Sequence, residues 1–202
     1  MRIVLFIFLS LVSSLTIVAN TDLSNPNQVI RSVSESAFAR MDNEKNKLSN
    51  DPTHIKVIIE EELIPYFDYK YATYKVMGAH LRDTTKEQRD DFVEAFKQYL
   101  INAYGHILYE YDQQEVQILD NNHFNDKSII SIPVRIKDKN EQITQIAFKL
   151  RKNKNTQEWK VFDVIAEGIS MLDTKQSEFA EVLHKKGVDE VIELLRTKNS
   201  EF

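Results

Sequence analysis

The sequence Trp159-Lys-Val-Phe-Asp-Val-Ile-Ala-Glu-Gly-Ile-Ser170 has the pattern of a β-strand that is apolar on both faces and ends at a turn. Side chains alternate along a strand. One face is therefore predicted to carry Trp159, Val161, Asp163 and Ile165, and the other Phe162, Val164 and Ala166. Gly168 ends this strand, and Ser170 is placed to cap a following helix. Such a strand needs a layer of secondary structure on each face, or one layer and an apolar ligand.

Upstream of this strand, apolar residues alternate with polar ones and predict three further strands. The four strands are expected near Glu115–Leu119, Ile129–Lys137, Ile143–Arg151 and Glu158–Ala166. Short polar turns at 138–141 and 153–156 connect the last three, which predicts an antiparallel meander. Pro133 has no amide hydrogen to donate, and it predicts that the second strand lies at an edge or carries a bulge.

Helical periodicity dominates the chain before the sheet. Asn25-Pro26 and Asp51-Pro52 are start signals for two helices, and Pro65 ends the second. A short helix is predicted through Phe67 to Met77, where Gly78 provides its C-terminal cap.

The longest predicted helix begins at Thr84, whose hydroxyl is expected to form a capping box with Glu87. Its apolar stripe consists of Phe92, Phe96, Tyr99, Leu100, Ala103 and Ile107. Two short helices separated by Gly187 close the chain. The predicted fold class is α+β: N-terminal helices, a twisted four-stranded antiparallel meander and C-terminal helices.

The N-terminus predicts secretion. Arg2 precedes an apolar run from Ile3 to Val18, followed by Ala19, which is the pattern of a cleaved signal peptide over residues 1–19. The run is shorter than the ~20 apolar residues that a membrane-spanning helix needs. We therefore expect one domain over residues 20–202, secreted across the inner membrane and located in the periplasm.

Composition excludes several classes of partner and site. The chain has 26 basic and 31 acidic residues and no Cys. Nucleic acid is not an expected partner, because binding it requires a dense basic surface. No metal site is expected either, since the five His residues are widely spaced in sequence: His54, His80, His106, His123 and His184.

For two residues of the quoted sequence, Ser170 and Asp163, a catalytic role is the alternative to a structural one. Gly168-Ile-Ser170 resembles the start of a nucleophile elbow, but position 172 is Leu rather than Gly, so Ser170 is better explained as a helix cap. Asp163 is the single carboxylate in an apolar strand. It is either a buried acid with hydrogen-bonding partners or the general base of a small α+β enzyme of the isomerase type. We prefer the first, because no second acid–base residue is identifiable beside it.

Several short motifs, in order, resemble the MlaC family of periplasmic phospholipid-binding proteins. They are Glu62-Leu-Ile-Pro-Tyr66, Tyr69-Lys-Tyr-Ala72, Gln88-Arg89, Tyr99-Leu100, Ala103-Tyr-Gly105, Ala166-Glu-Gly-Ile-Ser-Met171, Thr174-Lys-Gln176 and Lys186-Gly187. The resemblance implies a monomeric carrier without catalytic activity and with no cofactor other than its phospholipid ligand. It also implies exchange of lipid with an outer-membrane lipoprotein–porin complex and with an inner-membrane ABC transporter that has an MCE-domain subunit, which maintains outer-membrane lipid asymmetry.

The resemblance implies an apolar pocket between the sheet and the helices. The residues expected to line it are Leu63, Tyr71, Val76, Met77, Phe92, Phe96, Leu100, Ile132, Val134, Phe148, Leu150, Phe162, Val164 and Ile169. The alternative for every one of these side chains is an ordinary filled core, because sequence does not reveal a cavity. The acidic residues 60–62 and the basic residues Lys149, Arg151, Lys152 and Lys154 are expected to be solvated surface or docking positions.

Overall fold

The computed structural model describes residues 21–110 and 114–200, so the predicted signal peptide lies outside the described residues. Five helices precede the sheet: α1 (Pro26–Asn43), α2 (Lys45–Asn50), α3 (Ile55–Glu62), α4 (Tyr69–Met77) and α5 (Lys86–Tyr109). The strands are β1 (Glu115–Ile118), β2 (Ile129–Lys137), β3 (Ile143–Lys152), β4 (Trp159–Ala166) and β5 (Ile169–Ser170). Helices α6 (Met171–Lys186) and α7 (Val188–Ser200) follow.

The sheet is an antiparallel meander, as predicted, but it has five strands in the order β1-β2-β3-β4-β5 rather than four. The additional strand β5 returns along the end of β4, where Ala166 pairs with Ile169. Glu167 and Gly168 both have positive φ, of 48° and 82°. Two consecutive positive φ values produce the two-residue reversal of a hairpin, which the Glu side chain at the first position does not signal in the sequence.

The prediction drawn from Pro133 was wrong, because β2 lies inside the sheet between β1 and β3. The carbonyl of Pro133 accepts a hydrogen bond from the Leu119 amide, 2.9 Å away, and Pro133 pairs with Ala147 of β3 without a bulge. Pairing between β1 and β2 ends at Ile118 and Val134. The proline is tolerated because β1 ends where its missing donor would be needed.

A β-bulge in β4 changes which residues share a face. Leu150 of β3 lies opposite Val161, and the preceding Lys149 lies opposite Asp163, so Phe162 is an extra residue in β4. Val164 therefore lies on the same face as Val161, and Phe162 lies on the opposite face with Asp163. This corrects the strict alternation predicted from the sequence.

The two faces of the sheet have different neighbours. One face, which we name the α1 face, carries Ile130, Ile132, Val134, Leu150 and Val161 and packs against Val29 and Ile30 of α1. On the opposite face, α4 and α6 lie along β4, while β2 and β3 present Arg135 and Gln145 to solvent. The sheet is thus enclosed by helices on one face and at one edge.

Helix caps follow the sequence signals, with one shift of register. The Asn25 side chain accepts hydrogen bonds from the amides of Asn27 and Gln28, as its position before Pro26 predicts. The capping box of α5 is formed by Thr85 and Gln88, not by Thr84 and Glu87. Thr84 instead donates its hydroxyl to the Leu81 carbonyl.

A contact with α7 explains why the capping box uses Thr85 and Gln88. Gln88 accepts a hydrogen bond from the Thr85 amide at 3.0 Å and donates to the Asp189 carboxylate of α7 at 2.9 Å. An amide side chain can accept and donate at once, whereas an ionised Glu87 could only accept. The shifted box therefore connects α5 to α7 as well as capping α5.

Candidate functional site

The buried apolar side chains form three separate clusters. The helical cluster lies among α4, α5, α6 and α7 and includes Phe92, Phe96 and Phe179. The sheet cluster lies between α1 and the sheet and includes Ile132 and Trp159. The α3 cluster consists of Met41, Leu48, Ile55, Ile58, Ile59 and Ile101. A domain of this size ordinarily has one contiguous core, so the division marks a boundary inside the fold.

Half-buried apolar residues lie along this boundary. Tyr104 packs against both the helical and the α3 clusters, and Phe67 packs against both the helical and the sheet clusters. Residues 63–67 pass from the α3 cluster to the sheet cluster, and α1 does the same from Met41 back to Val29. We name this boundary the seam; its half-buried apolar side chains are Phe38, Leu63, Ile64, Phe67, Tyr104, Leu108, Ile136, Ile146, Phe148 and Val164.

Burial decreases along the α1 face of the sheet. Near Trp159, side chains such as Ile132 and Leu150 have 0% of their surface exposed. Toward the other end, Phe148 pairs with Val164 and Ile146 pairs with Ala166, and all four of these side chains are half-buried. The sheet is therefore closed at the Trp159 end and accessible at the β5 end, where the exposed side chain of Ile169 lies next to Ala166.

Tyr104 of α5 lies between the helical and α3 clusters. Burial, and to a lesser extent the negative charge of Asp163 and the neighbouring Tyr99, raises the pKa of the Tyr104 phenol. The side chain nevertheless remains half-exposed. Tyr104 is therefore a half-buried phenol close enough to β4 to be influenced by Asp163.

Asp163 joins β4 to the start of α6. Its carboxylate accepts hydrogen bonds from the Leu172 amide at 3.0 Å and from the Ser170 hydroxyl at 2.8 Å. Lys149 of β3 lies 3.6 Å from the same carboxylate. Ser170 in turn accepts from the Asp173 amide at 3.0 Å, which is the helix cap predicted from the sequence. Asp163 is thus a buried acid with three partners, and the fold uses it to anchor the N-terminus of α6.

The structure distributes the fourteen predicted pocket residues over four environments. Six lie inside the helical cluster or on its edge at Phe162: Val76, Met77, Phe92, Phe96, Leu100 and Phe162. Three are buried in the sheet cluster: Ile132, Val134 and Leu150. Four are half-buried: Leu63, Tyr71, Phe148 and Val164. Ile169 is exposed over 60% of its surface.

The four half-buried pocket candidates lie in two different places. Leu63, Phe148 and Val164 lie at the seam. Tyr71 lies on the helical side instead, where its ring packs edge-on against Phe162 at 5.2 Å and beneath the Arg151 guanidinium at 4.2 Å. The expectation that Phe162 and Val164 face one pocket was wrong, because the bulge places them on opposite faces of the sheet.

Sequence reasoning missed most residues of the seam: Phe38, Ile64, Phe67, Tyr104, Leu108, Ile136 and Ile146. Ile64 and Tyr104 had a usable signal, since they lie in the Glu62-Leu-Ile-Pro-Tyr66 and Ala103-Tyr-Gly105 motifs. Gly105 of that motif lies 3.6 Å from Ile55 and Ile59 of α3, measured from where a Cβ would be. The motif therefore brings α5 close to α3 and sets Tyr104 beside the seam.

The acidic residues 60–62 are not merely solvated. Arg40 of α1 forms ion pairs with Glu44, Glu61 and Glu62. Glu60 pairs with Lys97 of α5 at 3.0 Å. These contacts connect α3 to α1 and α5, so the run stabilises the helical packing beside the seam.

A polar groove lies away from the seam. This groove of about 510 Å³ lies between α5 and α7 and is lined by Lys56, Asp91, Glu94, Ala95, Gln98, Asn102, Arg196 and Asn199.

Although the five His residues are far apart in sequence, the rings of His80 and His184 lie 6.5 Å apart. Within residues 21–110 and 114–200, no three His, Asp or Glu side chains are grouped to hold a metal ion. None of the helices in these ranges is long and apolar enough to cross a bilayer.

The chain is similar in sequence to known phospholipid-transport proteins. The family profile described as MlaC protein matches residues 31–197. Over 200 residues the chain is 28% identical to the intermembrane phospholipid transport system binding protein MlaC of Haemophilus influenzae, which covers 98% of this chain and 92% of the relative. It is 25% identical over 186 residues to the toluene tolerance protein Ttg2D of Pseudomonas putida, covering 92% of this chain and 83% of that protein.

A solved structure has the same fold. It is the phospholipid-binding protein from Ralstonia solanacearum, determined in complex with a phospholipid. It superposes with a TM-score of 0.78 at 20% identity, over 88% of this chain and 98% of that one. The predicted α+β fold class is thereby confirmed.

Proposed function

The chain belongs to the MlaC family, and we propose that it is a phospholipid carrier of an intermembrane transport system, not an enzyme. Its relative in Haemophilus influenzae has the same role in its name. We place the carrier in the periplasm and propose the two exchange partners that the resemblance implies: an outer-membrane lipoprotein–porin complex and an inner-membrane ABC transporter with an MCE-domain subunit.

The seam carries this proposal. Its half-buried apolar side chains belong to the α1 face of the sheet, to α1, to the C-terminal end of α5 and to residues 63–67, and burial on the sheet decreases toward the β5 end. Acyl chains would lie along Phe148, Val164 and Tyr104, with the headgroup outside beyond Ile169. Burying a methylene group contributes ~0.8 kcal/mol, so a 16-carbon chain contributes about 12 kcal/mol. A dry apolar cleft of sufficient length can therefore bind phospholipid without contacts to the headgroup.

Lipid entry requires the seam to widen. The α3 cluster and the sheet cluster have no fully buried residue in common. Helix α3 and the C-terminal end of α5 would then move away from the sheet, while the helical cluster, which includes Phe162 of β4, and the sheet cluster keep their internal contacts. This is a shear motion between packed units. The nine buried pocket candidates outside the seam would then remain core in both states, and the seam residues would exchange protein contacts for contacts with lipid.

The enzyme alternative used Asp163 as a general base. Its carboxylate is occupied by the Leu172 amide, the Ser170 hydroxyl and Lys149, all of which belong to the fold. A general base must reach a substrate proton. The arrangement supports an anchoring role for Asp163 in a carrier.

Organic extraction of the purified native protein, followed by mass spectrometry, tests the proposed function. We expect intact two-chain phospholipid in near-stoichiometric amount. A small polar metabolite would support catalysis instead. Protein that yields no lipid, even after incubation with phospholipid vesicles, would support a docking module with a permanently filled core.

A further inference from the structure

Basic side chains gather at the closed end of the sheet, away from the seam entrance. Lys127 precedes β2, Lys154 follows β3, and Lys160 lies near the start of β4. A groove of about 340 Å³ at this end is lined by Asn125, Asp126, Lys127, Ser128, Lys152, Lys154 and Gln157. We name the surface formed by Lys127, Lys154, Lys160 and Ile129 the basic patch; Lys152 lies beside it, on the α1 face.

The charges of the patch are mostly unpaired. Lys127, Lys154 and Lys160 form no ion pair with any carboxylate in residues 21–110 and 114–200, whereas Arg151 beside them is neutralised by Asp68. The amine of Lys152 lies 5.3 Å from the centre of the Trp159 ring. The patch therefore has a local excess of positive charge in a chain whose net charge is −5.

An exposed apolar side chain lies among these cations. Ile129 pairs with Arg151, and Arg151 pairs with Lys160, so the three form one row across the face of the sheet opposite α1. Ile129 is exposed over 45% of its surface. Cations around an exposed aliphatic side chain are the combination by which peripheral proteins bind the interface of an anionic bilayer.

We propose that the basic patch docks the protein on an anionic phospholipid surface. The site is separate from the lipid-binding seam and goes beyond the proposed function, because it concerns contact with a membrane and not with a single lipid molecule. A protein partner is less well matched, since the groove is polar and offers no apolar pocket for an anchoring side chain. Docking through this end leaves the seam entrance at β5 free for a protein complex.

Co-sedimentation with phosphatidylethanolamine vesicles, with and without phosphatidylglycerol, tests the proposal. We expect binding that requires phosphatidylglycerol and weakens with added salt. The triple variant K127Q/K154Q/K160Q should bind about a hundredfold more weakly, because each cation near an anionic surface contributes about fivefold. Ile129→Ser should weaken binding further.

Two control variants test whether the effect is specific to the basic patch, because they remove the same number of cations, or one exposed isoleucine, elsewhere on the surface. K45Q/K75Q/R82Q removes three exposed cations from the helical region, and Ile143→Ser removes an isoleucine that is 54% exposed at the other end of the same sheet face. Both should bind vesicles like the wild type. Absence of binding to anionic vesicles, or equal losses in patch and control variants, would overturn the proposal. The lipid content of each purified variant, measured separately, should equal that of the wild type, and a loss there would concern the seam and not the patch.

Discussion

Phe148 of β3 lies directly opposite Val164 of β4, and both side chains are half-buried on the α1 face of the sheet. Toward the Trp159 end, the next pair on this face, Leu150 and Val161, is buried. The accessible part of the seam thus begins at Phe148 and Val164, and substitutions there should affect lipid and not the core.

Val164→Glu should remove most of the phospholipid that co-purifies with the protein, because a carboxylate among acyl chains costs several kcal/mol if it stays ionised. Ile165→Glu is the matched control: Ile165 is the next residue, is equally half-buried and lies on the opposite face, across from Ala147. Lipid extraction and thermal unfolding of both variants make the comparison. Equal lipid loss in the two variants would contradict the assignment of the seam to the α1 face.

Ile169→Glu tests the entrance. Ile169 is 60% exposed, so the new carboxylate can remain hydrated and the free energy of unfolding should change by less than about 0.5 kcal/mol. We expect reduced lipid content in a folded protein, because the charge would stand where acyl chains enter. Wild-type lipid content in this variant would remove Ile169 from the site.

Phe92→Ala tests whether the stripe of α5 is core or pocket wall. Phe92 has 0% exposure and lies 6.5 Å from the Phe96 ring, so truncation should lower the free energy of unfolding of the lipid-free protein by about 3–5 kcal/mol. Ile107→Ala, in the same stripe but 64% exposed, should cost less than about 0.5 kcal/mol. Urea denaturation measures both, and a small effect at Phe92 would indicate that its ring borders empty space.

Asp163→Asn should destabilise the fold by about 2 kcal/mol without lowering lipid content in the folded fraction. The Leu172 amide and the Ser170 hydroxyl donate to different oxygens of Asp163, and Asn keeps only one acceptor oxygen. One of these two hydrogen bonds is therefore lost, together with the ion pair with Lys149. Chemical denaturation and lipid extraction are the two measurements. Selective loss of lipid at unchanged stability would give Asp163 a role other than anchoring α6.

We expect the free energy of unfolding to fall in acid, partly because Glu62 becomes protonated. The hydroxyl of Ser36, and after it the guanidinium of Arg40, lowers the pKa of Glu62 below 4.5, although partial burial acts in the opposite direction. A carboxyl whose pKa is lower in the folded state stabilises the protein above the unfolded pKa and loses that contribution as the pH falls. Urea unfolding at pH 7 and at about pH 4 should therefore show a smaller loss for Glu62→Gln than for the wild type. Ser36→Ala, which removes the hydrogen bond that the Ser36 hydroxyl donates to Glu62, should likewise show a smaller loss than the wild type.

The sequence predicted those features of the fold that depend on local signals. Asn25 and Ser170 cap their helices as expected, and the bounds of β2 match because both of its ends lie at polar turns. The bulge at Phe162 was not predictable, because it depends on the register of β4 against β3. Strand β5 was missed because it requires Glu167 to adopt a positive φ, which that residue rarely does.

The sequence predicted which side chains of the site are apolar, but not how completely the fold covers them. Apolar periodicity shows which face of an element is turned inward, and Phe148 in the alternating third strand is half-buried, as that pattern predicts. It does not show whether an inward side chain is fully packed, like Phe92, or left half-covered, like Tyr104. That difference arises from how the three clusters meet, which is a property of the assembled fold.

Photo-cross-linking with a phospholipid that has a diazirine near the end of one acyl chain tests the central claim most directly. After illumination of the loaded protein, peptide mass spectrometry should place the adducts on seam residues, at Ile146–Phe148, Val164, Tyr104–Leu108 or Leu63–Phe67. Adducts confined to the face of the sheet opposite α1, or to the interior of the helical cluster around Phe92 and Phe179, would contradict the account.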